Sequence, residues 1–441
     1  MSSHIEEDEL DPLDLSERRQ YTHRAHRFPG KFHPPLIAEI IQQHPEHEVI
    51  GDPMCGSGTT GVESVVAGKN TLCIDIDPLS ALMTRAKTKP VDVGAFNEVC
   101  DRIIDQVSGF PEKGSYSQER ARQEVEQNIS VGQYAIPYNL FHWFDPYVAV
   151  GYSRLLSESH HVLKHESNEM RDAVHTALAA MVRQISRADP DPVSGLEVTK
   201  IRRQELNDGI TFDVSSSFNN VSNRLARGYE QLNSLDEIGE SSVIEGDAKK
   251  FSDICSKVDE PPSMIITSPP YCNAIEYSRR HRLEYEWLGL FNNPDVENQR
   301  NQRIETSRDF FGSTTPKQGT LRNLPEVPHT DIKRVTGEIE EMGHERKANL
   351  LRKYFLDAYD WISEIYKALP SGGLFCMIIG PSTSYGKTID TPNYLKEITL
   401  KETGFELVEK PRRYKLVNNK MQYPTNGETT ELECLLKFRA E

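Results

Sequence analysis

Residues 48–78 read EVIGDPMCGSGTTGVESVVAGKNTLCIDIDP, and the fold follows from how this stretch is divided. Glu48 to Asp52 has the apolar character of a short buried strand. Met54 to Gly58 is a glycine-containing turn, and Thr59 to Ala67 carries helical periodicity. Asn70 to Asp75 is a second strand, and Pro78 to Lys87 a second helix with proline at its first turn. Strand, loop, helix, strand, helix is the opening of a doubly wound parallel sheet. Upstream, His33 to Gln43 reads as a helix opened by Pro34 and Pro35.

The alternation then stops. From 91 to 240 the pattern is helical, with spans predicted at 93–107, 147–165, 167–187 and 217–235. It resumes at SSVIEGDAKKF (241–251) and MIITSPPY (264–271). A helix is expected over 276–290, a polar loop or small insert over 296–340, and a long amphipathic helix over 345–369. GGLFCMII (372–379) is a buried strand, and 404–413 with 430–439 form a closing pair. The chain is thus an α/β protein with three parts. Residues 1–90 and 241–441 are two halves of one Rossmann-like sheet, and 91–240 is a large, mostly helical insertion.

Two positions carry chemistry. The first is the turn after Asp52 and Pro53. Gly56, Gly58 and Gly61 formally meet a dinucleotide pattern, and the helix from Thr59 offers free N–H groups. The Walker pattern fails, because Gly58 is followed by Thr59 and Thr60 and no lysine. An aspartate aimed at the ligand repels a pyrophosphate but suits a cationic amino-acid group. Asp75 ends the next strand, where a carboxylate accepts from ribose hydroxyls. Asp247 follows the strand that resumes the sheet and can accept from an adenine amino group. Three carboxylates at three strand ends with one glycine loop suit S-adenosylmethionine better than a nicotinamide dinucleotide. The plainer reading makes Asp75 a turn residue and Asp247 a helix cap.

The second position is Ser268-Pro269-Pro270-Tyr271 at the carboxyl end of a buried strand, where ligands bind in open α/β sheets. The prolines fix φ and donate no hydrogen bond, so their carbonyls are expected to be free to face a ligand. Ser268 Oγ and the Pro269 carbonyl can accept both protons of an exocyclic amine. That would localise its lone pair for attack on a sulfonium methyl, and Tyr271 can stack on a base. The plainer reading is a strand-ending turn.

DPMCGSGTT, CIDIDP and TSPPY together resemble the S-adenosylmethionine-dependent amino-methyltransferases of nucleic acids, particularly the DNA N4-cytosine type. The resemblance covers about 1–90 and 241–441. It implies a class I methyltransferase sheet, S-adenosylmethionine as cofactor and a flipped cytosine as target, with a restriction endonuclease as a prospective partner. The serine form of the catalytic motif is usually associated with cytosine N4, and Asp or Asn forms more often with adenine N6. FPGKFHPP (28–35) is similar to the family's N-terminal cofactor segment, which implies that Phe28 and Lys31 cover the methionine part. The insertion 91–240 is then a candidate target-recognition region, with a structural or dimerisation element as the alternative. An RNA amino-methyltransferase, a DNA adenine-N6 methyltransferase, a protein-amide methyltransferase and a non-catalytic cofactor-binding module that binds nucleic acid are the competing functions.

Composition bounds these readings. The 441 residues carry 67 acidic and 51 basic side chains, a net charge of −16, which argues against a uniformly basic nucleic-acid coat protein. Basic residues nevertheless cluster before the cofactor segment (Arg18, Arg19, His23, Arg24, His26, Arg27 and Lys31), after the catalytic motif (Arg279, Arg280, His281 and Arg282) and near the C-terminus (Arg412, Arg413, Lys415 and Lys420). The second cluster is expected to contact nucleic-acid phosphates. Seven scattered cysteines without a C-x-x-C fit reduced intracellular thiols, and no metal site is expected from the histidine spacing. The acidic N-terminus excludes a secretory signal, no stretch is long enough to span a membrane, and a cytoplasmic location is expected.

Overall fold

The computed structural model describes residues 20–28, 30, 33–190, 196–272, 277–291, 308, 310–313, 316, 319–322, 324–415 and 432–441, with the backbone of 10–11. The central element is a nine-stranded sheet. Its strands are β1 (Leu10–Asp11), β2 (Val49–Asp52), β3 (Asn70–Asp75), β4 (Ser241–Glu245), β5 (Met264–Thr267), β6 (Leu374–Ile379), β9 (Phe405–Leu407), β10 (Arg412–Lys415) and β11 (Leu432–Ala440). The order is β1-β10-β11-β6-β5-β2-β3-β4, with β9 also on β11. A separate hairpin joins β7 (Ser382–Ser384) to β8 (Lys387–Ile389).

The run β4, β3, β2, β5, β6 is parallel throughout, whereas β6, β9 and β10 each pair antiparallel with β11. From β2 the chain winds outward through β3 to β4, then returns to place β5 on the other side of β2. The order therefore reverses between β2 and β5, which opens a crevice at their carboxyl ends. Asp52 ends one of these strands and Thr267 the other.

Both faces of the sheet are covered, as buried parallel strands require. Along β6, Phe375, Met377 and Ile379 meet the 345–368 and 391–402 helices, while Leu374, Cys376 and Ile378 meet Leu36, Ile37 and Ile40 of the 34–43 helix. This is the period-two alternation of a strand.

The insertion is helical, with spans at Val93–Gln106, Gln118–Ile129, Pro146–Leu163, Asn168–Val182, Lys200–Asn207 and Val214–Asn233. Asp92, Ser117, Ser167, Thr199 and Asp213 cap five of these by accepting from backbone N–H groups. Its core is continuous with the sheet's flank. One apolar cluster joins Leu79 and Met83 of the Pro78–Thr88 helix, Leu155 and Leu178 of the insertion, and Leu283 and Trp287 of the Arg282–Leu288 helix. Trp287 meets Phe144 and Tyr152 edge to face, with centroids 5.6 and 5.1 Å away.

Several local expectations change. Residues 330–341, expected within a polar loop, form a helix that buries Ile332, Val335 and Ile339 against the 345–368 helix. The helix expected over 276–290 divides at His281. The β7–β8 hairpin and the Thr391–Glu402 helix were not legible, nor were the helices at 118–129 and 200–207. The closing pair of strands is a three-strand arrangement, because the 404–413 segment supplies both β9 and β10 to β11. No described helix is long and apolar enough to cross a membrane.

The shared core has a measurable consequence. Leu178 is fully buried in it. Leu178→Ala is expected to cost about 2–5 kcal/mol in urea denaturation. Helical signal and Trp287 fluorescence should be lost in one transition; separate transitions would show that the insertion folds on its own.

Candidate active site

The crevice between β2 and β5 is built around Asp52. Asp52 is fully buried. Its Oδ1 accepts from the Met54 N–H at 3.1 Å and from the Thr267 hydroxyl at 2.7 Å. Its Oδ2 is buried and meets no hydrogen-bond donor among the described residues. Burial pushes the carboxyl up to about 6, opposed by the Thr267 hydroxyl, by the nearby Thr60 hydroxyl, whose own hydrogen bond goes to the Ile266 carbonyl at 3.3 Å, and by the Met54 N–H. A buried, half-satisfied carboxylate is costly unless something cationic completes it.

The glycine loop wraps over the end of β3. Cys55 N–H donates to the Ile74 carbonyl at 2.9 Å and Gly58 N–H to the Cys55 carbonyl at 2.7 Å. Gly56 and Gly58 take φ of +50° and +75°, conformations that disfavour a side chain. A Cβ on Gly58 would lie 2.7 Å from Thr84 Oγ1, and one on Gly56 would lie 3.2 Å from the Phe28 ring. Lys87, fully buried, donates its ammonium to the Ser57 carbonyl. Thr59 opens the helix, and both it and Pro53 are buried.

Asp75 stands at the end of β3. Its Oδ2 accepts from the Gly56 N–H at 2.7 Å and its Oδ1 from the Asp77 N–H at 2.9 Å. Burial, with the neighbouring Asp77 charge, holds its carboxyl well above the usual range. Each oxygen retains a further lone pair for ligand hydroxyls. Asp247 is half-buried and caps the short turn 248–250 by accepting from the Lys249 N–H at 2.9 Å, the capping geometry of the plainer reading. Phe28 stacks on Tyr277 and His281, with centroids 5.3 and 5.2 Å away. It thereby roofs the loop at Gly56. Lys31 lies outside the described residues.

The motif Ser268-Pro269-Pro270-Tyr271 continues directly from Thr267. The expectation of free proline carbonyls fails at Pro270. The Tyr354 hydroxyl donates to the Pro270 carbonyl at 2.8 Å. No described hydrogen bond occupies the Ser268 hydroxyl or the Pro269 carbonyl. The Tyr271 hydroxyl donates to Glu433 Oε1 at 2.5 Å, a partner 162 residues away that linear spacing cannot reveal.

The arginines after the motif are not one exposed patch. Arg279 is exposed, 3.6 Å from Glu197. Arg280 is only 3% exposed. Arg282 donates to Glu286 at 2.7 Å and lies over the Tyr138 ring. A different cluster emerges from the fold. The turn 21–24 packs on the 214–233 helix at Gly228, whose added Cβ would lie 2.8 Å from the Tyr21 carbonyl. This brings Arg24 and Arg27 near Arg224, and burial together with those two charges holds the Arg224 guanidinium below its ordinary value. Among the described residues no carboxylate pairs with these three. The histidine spacing also concealed a grouping: His26, His281 and Glu284, all buried, have ligand atoms within 4.8 Å of one another beside the loop.

The chain resembles known proteins. No family model matches it. It is 21% identical over 425 residues to the Type II methyltransferase M.MvaI of Kocuria varians, covering 94% of this chain and 88% of that one. It is 22% identical over 382 residues to the Type II methyltransferase M.MjaII of Methanocaldococcus jannaschii, covering 70% and 68%. A third distant relative is the Type II methyltransferase M.BsoBI of Geobacillus stearothermophilus, 24% identical over 62% of this chain and 54% of that one. Among solved structures, the rRNA methyltransferase aviRa from Streptomyces viridochromogenes matches at a TM-score of 0.32 and 10% identity over 97% of this chain and 94% of that one, a likeness too low to carry an argument. The distant relatives are methyltransferases, and the chain has a mostly parallel central sheet with helices on both faces.

The Asp52 environment predicts a pH dependence. A carboxyl raised to about 6 is largely protonated at pH 5 and ionised at pH 7. Affinity for a cationic ligand at Oδ2 should therefore rise with pH through about 6 and level off above it. The slope approaches about tenfold per unit on the acid side. Calorimetric titration with S-adenosylmethionine should show this rise in the wild type and a flat, weaker profile in Asp52→Asn.

Proposed function

We propose that this chain is an S-adenosylmethionine-dependent DNA methyltransferase that modifies the exocyclic N4 of a flipped cytosine, as the modification partner of a restriction endonuclease. The reading is carried by one observation: Thr267 joins Asp52 and the Ser-Pro-Pro-Tyr motif at the crevice where the strand order reverses. The similarity to three Type II methyltransferases supports it.

The residues present fit the cofactor. The orphaned, buried Asp52 Oδ2 suits its cationic amino-acid end. Asp75 suits its ribose, and the space above Gly56 is limited by Phe28 rather than by a Cβ. Thr59 opens the helix on the same side, and Asp247 stands just past the neighbouring strand end for the adenine. The cofactor supplies an electrophilic methyl on a sulfonium.

This chain's own residues do the remainder. Ser268 Oγ and the Pro269 carbonyl accept the two N–H groups of the target amine, which draws its lone pair out of ring conjugation. The amine is thereby aimed along the line of the departing sulfur, and such alignment contributes a large share of the acceleration. A duplex base reaches the crevice only after leaving the stack, a step that costs a few kcal/mol. Stacking on Tyr271 offsets part of that cost. Arg24, Arg27 and Arg224, together with the exposed Arg279, supply cationic surface for phosphates on a chain of net charge −16.

Nucleoside mass spectrometry of DNA and total RNA from expressing cells tests the reaction. N4-methylcytosine in DNA is expected with the wild type and absent with Ser268→Ala, whose cofactor affinity should be retained. Asp75→Ala should instead weaken cofactor binding. N6-methyladenine would overturn the base assignment, and methylation confined to RNA would overturn the substrate. The arginine cluster has its own test. Removing Arg24, Arg27 and Arg224 together should weaken duplex binding uniformly across sequences, and should make the slope of log affinity against log salt shallower by about 2–3 units.

A further inference from the structure

Glu433 is a carboxylate in the interior of the sheet. It lies on β11, directly opposite Tyr414 of β10, and is 8% exposed. Its two oxygens are engaged separately. Tyr271 donates to Oε1 at 2.5 Å, and Tyr414, itself fully buried, donates to Oε2 at 2.6 Å. Burial raises its carboxyl above the usual range, and the two tyrosine hydroxyls oppose that rise. A carboxylate placed here costs desolvation. Hydrogen bonds to an ionised acceptor are stronger than neutral ones, so two hydroxyl donors offset that cost.

One of those donors belongs to the proposed catalytic motif. The preceding residue is held as well, since the Tyr354 hydroxyl donates to the Pro270 carbonyl. Residues 270 and 271 are thus anchored from two different elements, the 345–368 helix and β11, while the two acceptors at 268 and 269 face no described partner. We propose that Glu433 is a positioning residue for methyl transfer: it fixes the Tyr271 ring, and with it the Ser-Pro acceptors, in the orientation that receives the target base. This rests on the reading of 268–271 as the catalytic motif. Among the described hydrogen bonds, Glu433 reaches the motif through the Tyr271 hydroxyl, and Tyr414 completes the hydrogen bonding of the same carboxylate.

Glu433→Gln keeps the volume but replaces one acceptor oxygen by an NH2 donor and removes the negative charge that strengthens both hydrogen bonds, so the hold on Tyr271 weakens whichever way the amide turns. With purified full-length protein, S-adenosylmethionine and duplex DNA, Glu433→Gln should lower kcat about tenfold or more, the order expected when a reacting group is misplaced by a fraction of an ångström. Cofactor Kd and melting temperature should stay near the wild-type values. Tyr271→Phe should give a similar loss. The double variant should be no worse than either single, because both remove the same interaction. Tyr414→Phe, which leaves the Tyr271–Glu433 bond in place, should retain most of kcat. Wild-type kcat in Glu433→Gln would overturn the proposal, as would additive losses in the double variant. A fall in kcat that only tracks lost stability, with weaker cofactor binding, would overturn it too. If the wild type itself transfers no methyl group to nucleic acid, the catalytic reading fails; if it does and Glu433→Gln matches it, the positioning role alone fails.

Discussion

The Thr267 hydroxyl donates to Asp52 Oδ1 across the point where the sheet reverses its order. Each partner is the last residue of its strand, and each leads directly into one of the two motifs. Asp52 leads into the glycine loop, and Thr267 leads into Ser-Pro-Pro-Tyr. One buried hydrogen bond therefore fixes the spacing between the glycine loop and the Ser-Pro-Pro-Tyr segment. A second, longer link from the Thr60 hydroxyl to the Ile266 carbonyl at 3.3 Å runs parallel to it. Both depend on β2 and β5 being adjacent, which their parallel pairing at Ile50 and Gly51 secures.

Beneath the loop lies a buried charge network. Lys87 holds the Ser57 carbonyl, and Glu63 lies close enough that its charge and that of Lys87 act on each other. His23 closes the set with a 2.5 Å hydrogen bond to Glu63. Burial raises the Glu63 carboxyl to about 8 and lowers the Lys87 ammonium to about 8, each moderated by the other. Breaking one member of such a set leaves the other uncompensated, so the network is strongly interdependent. It also ties the 21–24 turn to the loop, because the Thr22 hydroxyl donates to the Lys87 carbonyl at 2.8 Å. The segment that carries Arg24, Arg27 and Phe28 is thereby anchored beside the glycine loop.

The insertion completes this arrangement. Its last helix receives the 21–24 turn at Gly228, and its core runs without a break into the helix after β3 and the 282–288 helix. The helices that surround the insertion's core also carry the rings and charges around the crevice. His281 and Tyr285 belong to this group, and Tyr285 lies against Asp77, the cap of the Pro78–Thr88 helix.

The first half of the sheet was legible because its signals are local. Hydrophobic runs, Pro78 at a helix start and glycines in a turn mark β2, the loop and β3 within a few residues of their observed bounds. The placement of Asp52 and Asp75 at strand ends, and of Ser268 just past one, was legible for the same reason: strand ends and turns are written in short stretches. The partners were not. Asp52 meets Thr267 across 215 residues and Tyr271 meets Glu433 across 162, and no periodicity connects such pairs. Arg280 and Arg282 read as surface cations, yet burial and the Glu286 contact of Arg282 are consequences of helix packing. The sequence by itself determined the α/β class, the glycine loop and the order of the motifs, because each is encoded by neighbouring residues. Only the tertiary structure decided which carboxylates and hydroxyls share a hydrogen bond, which arginines reach solvent, and that the insertion shares the protein's core, because those depend on which distant surfaces are buried together.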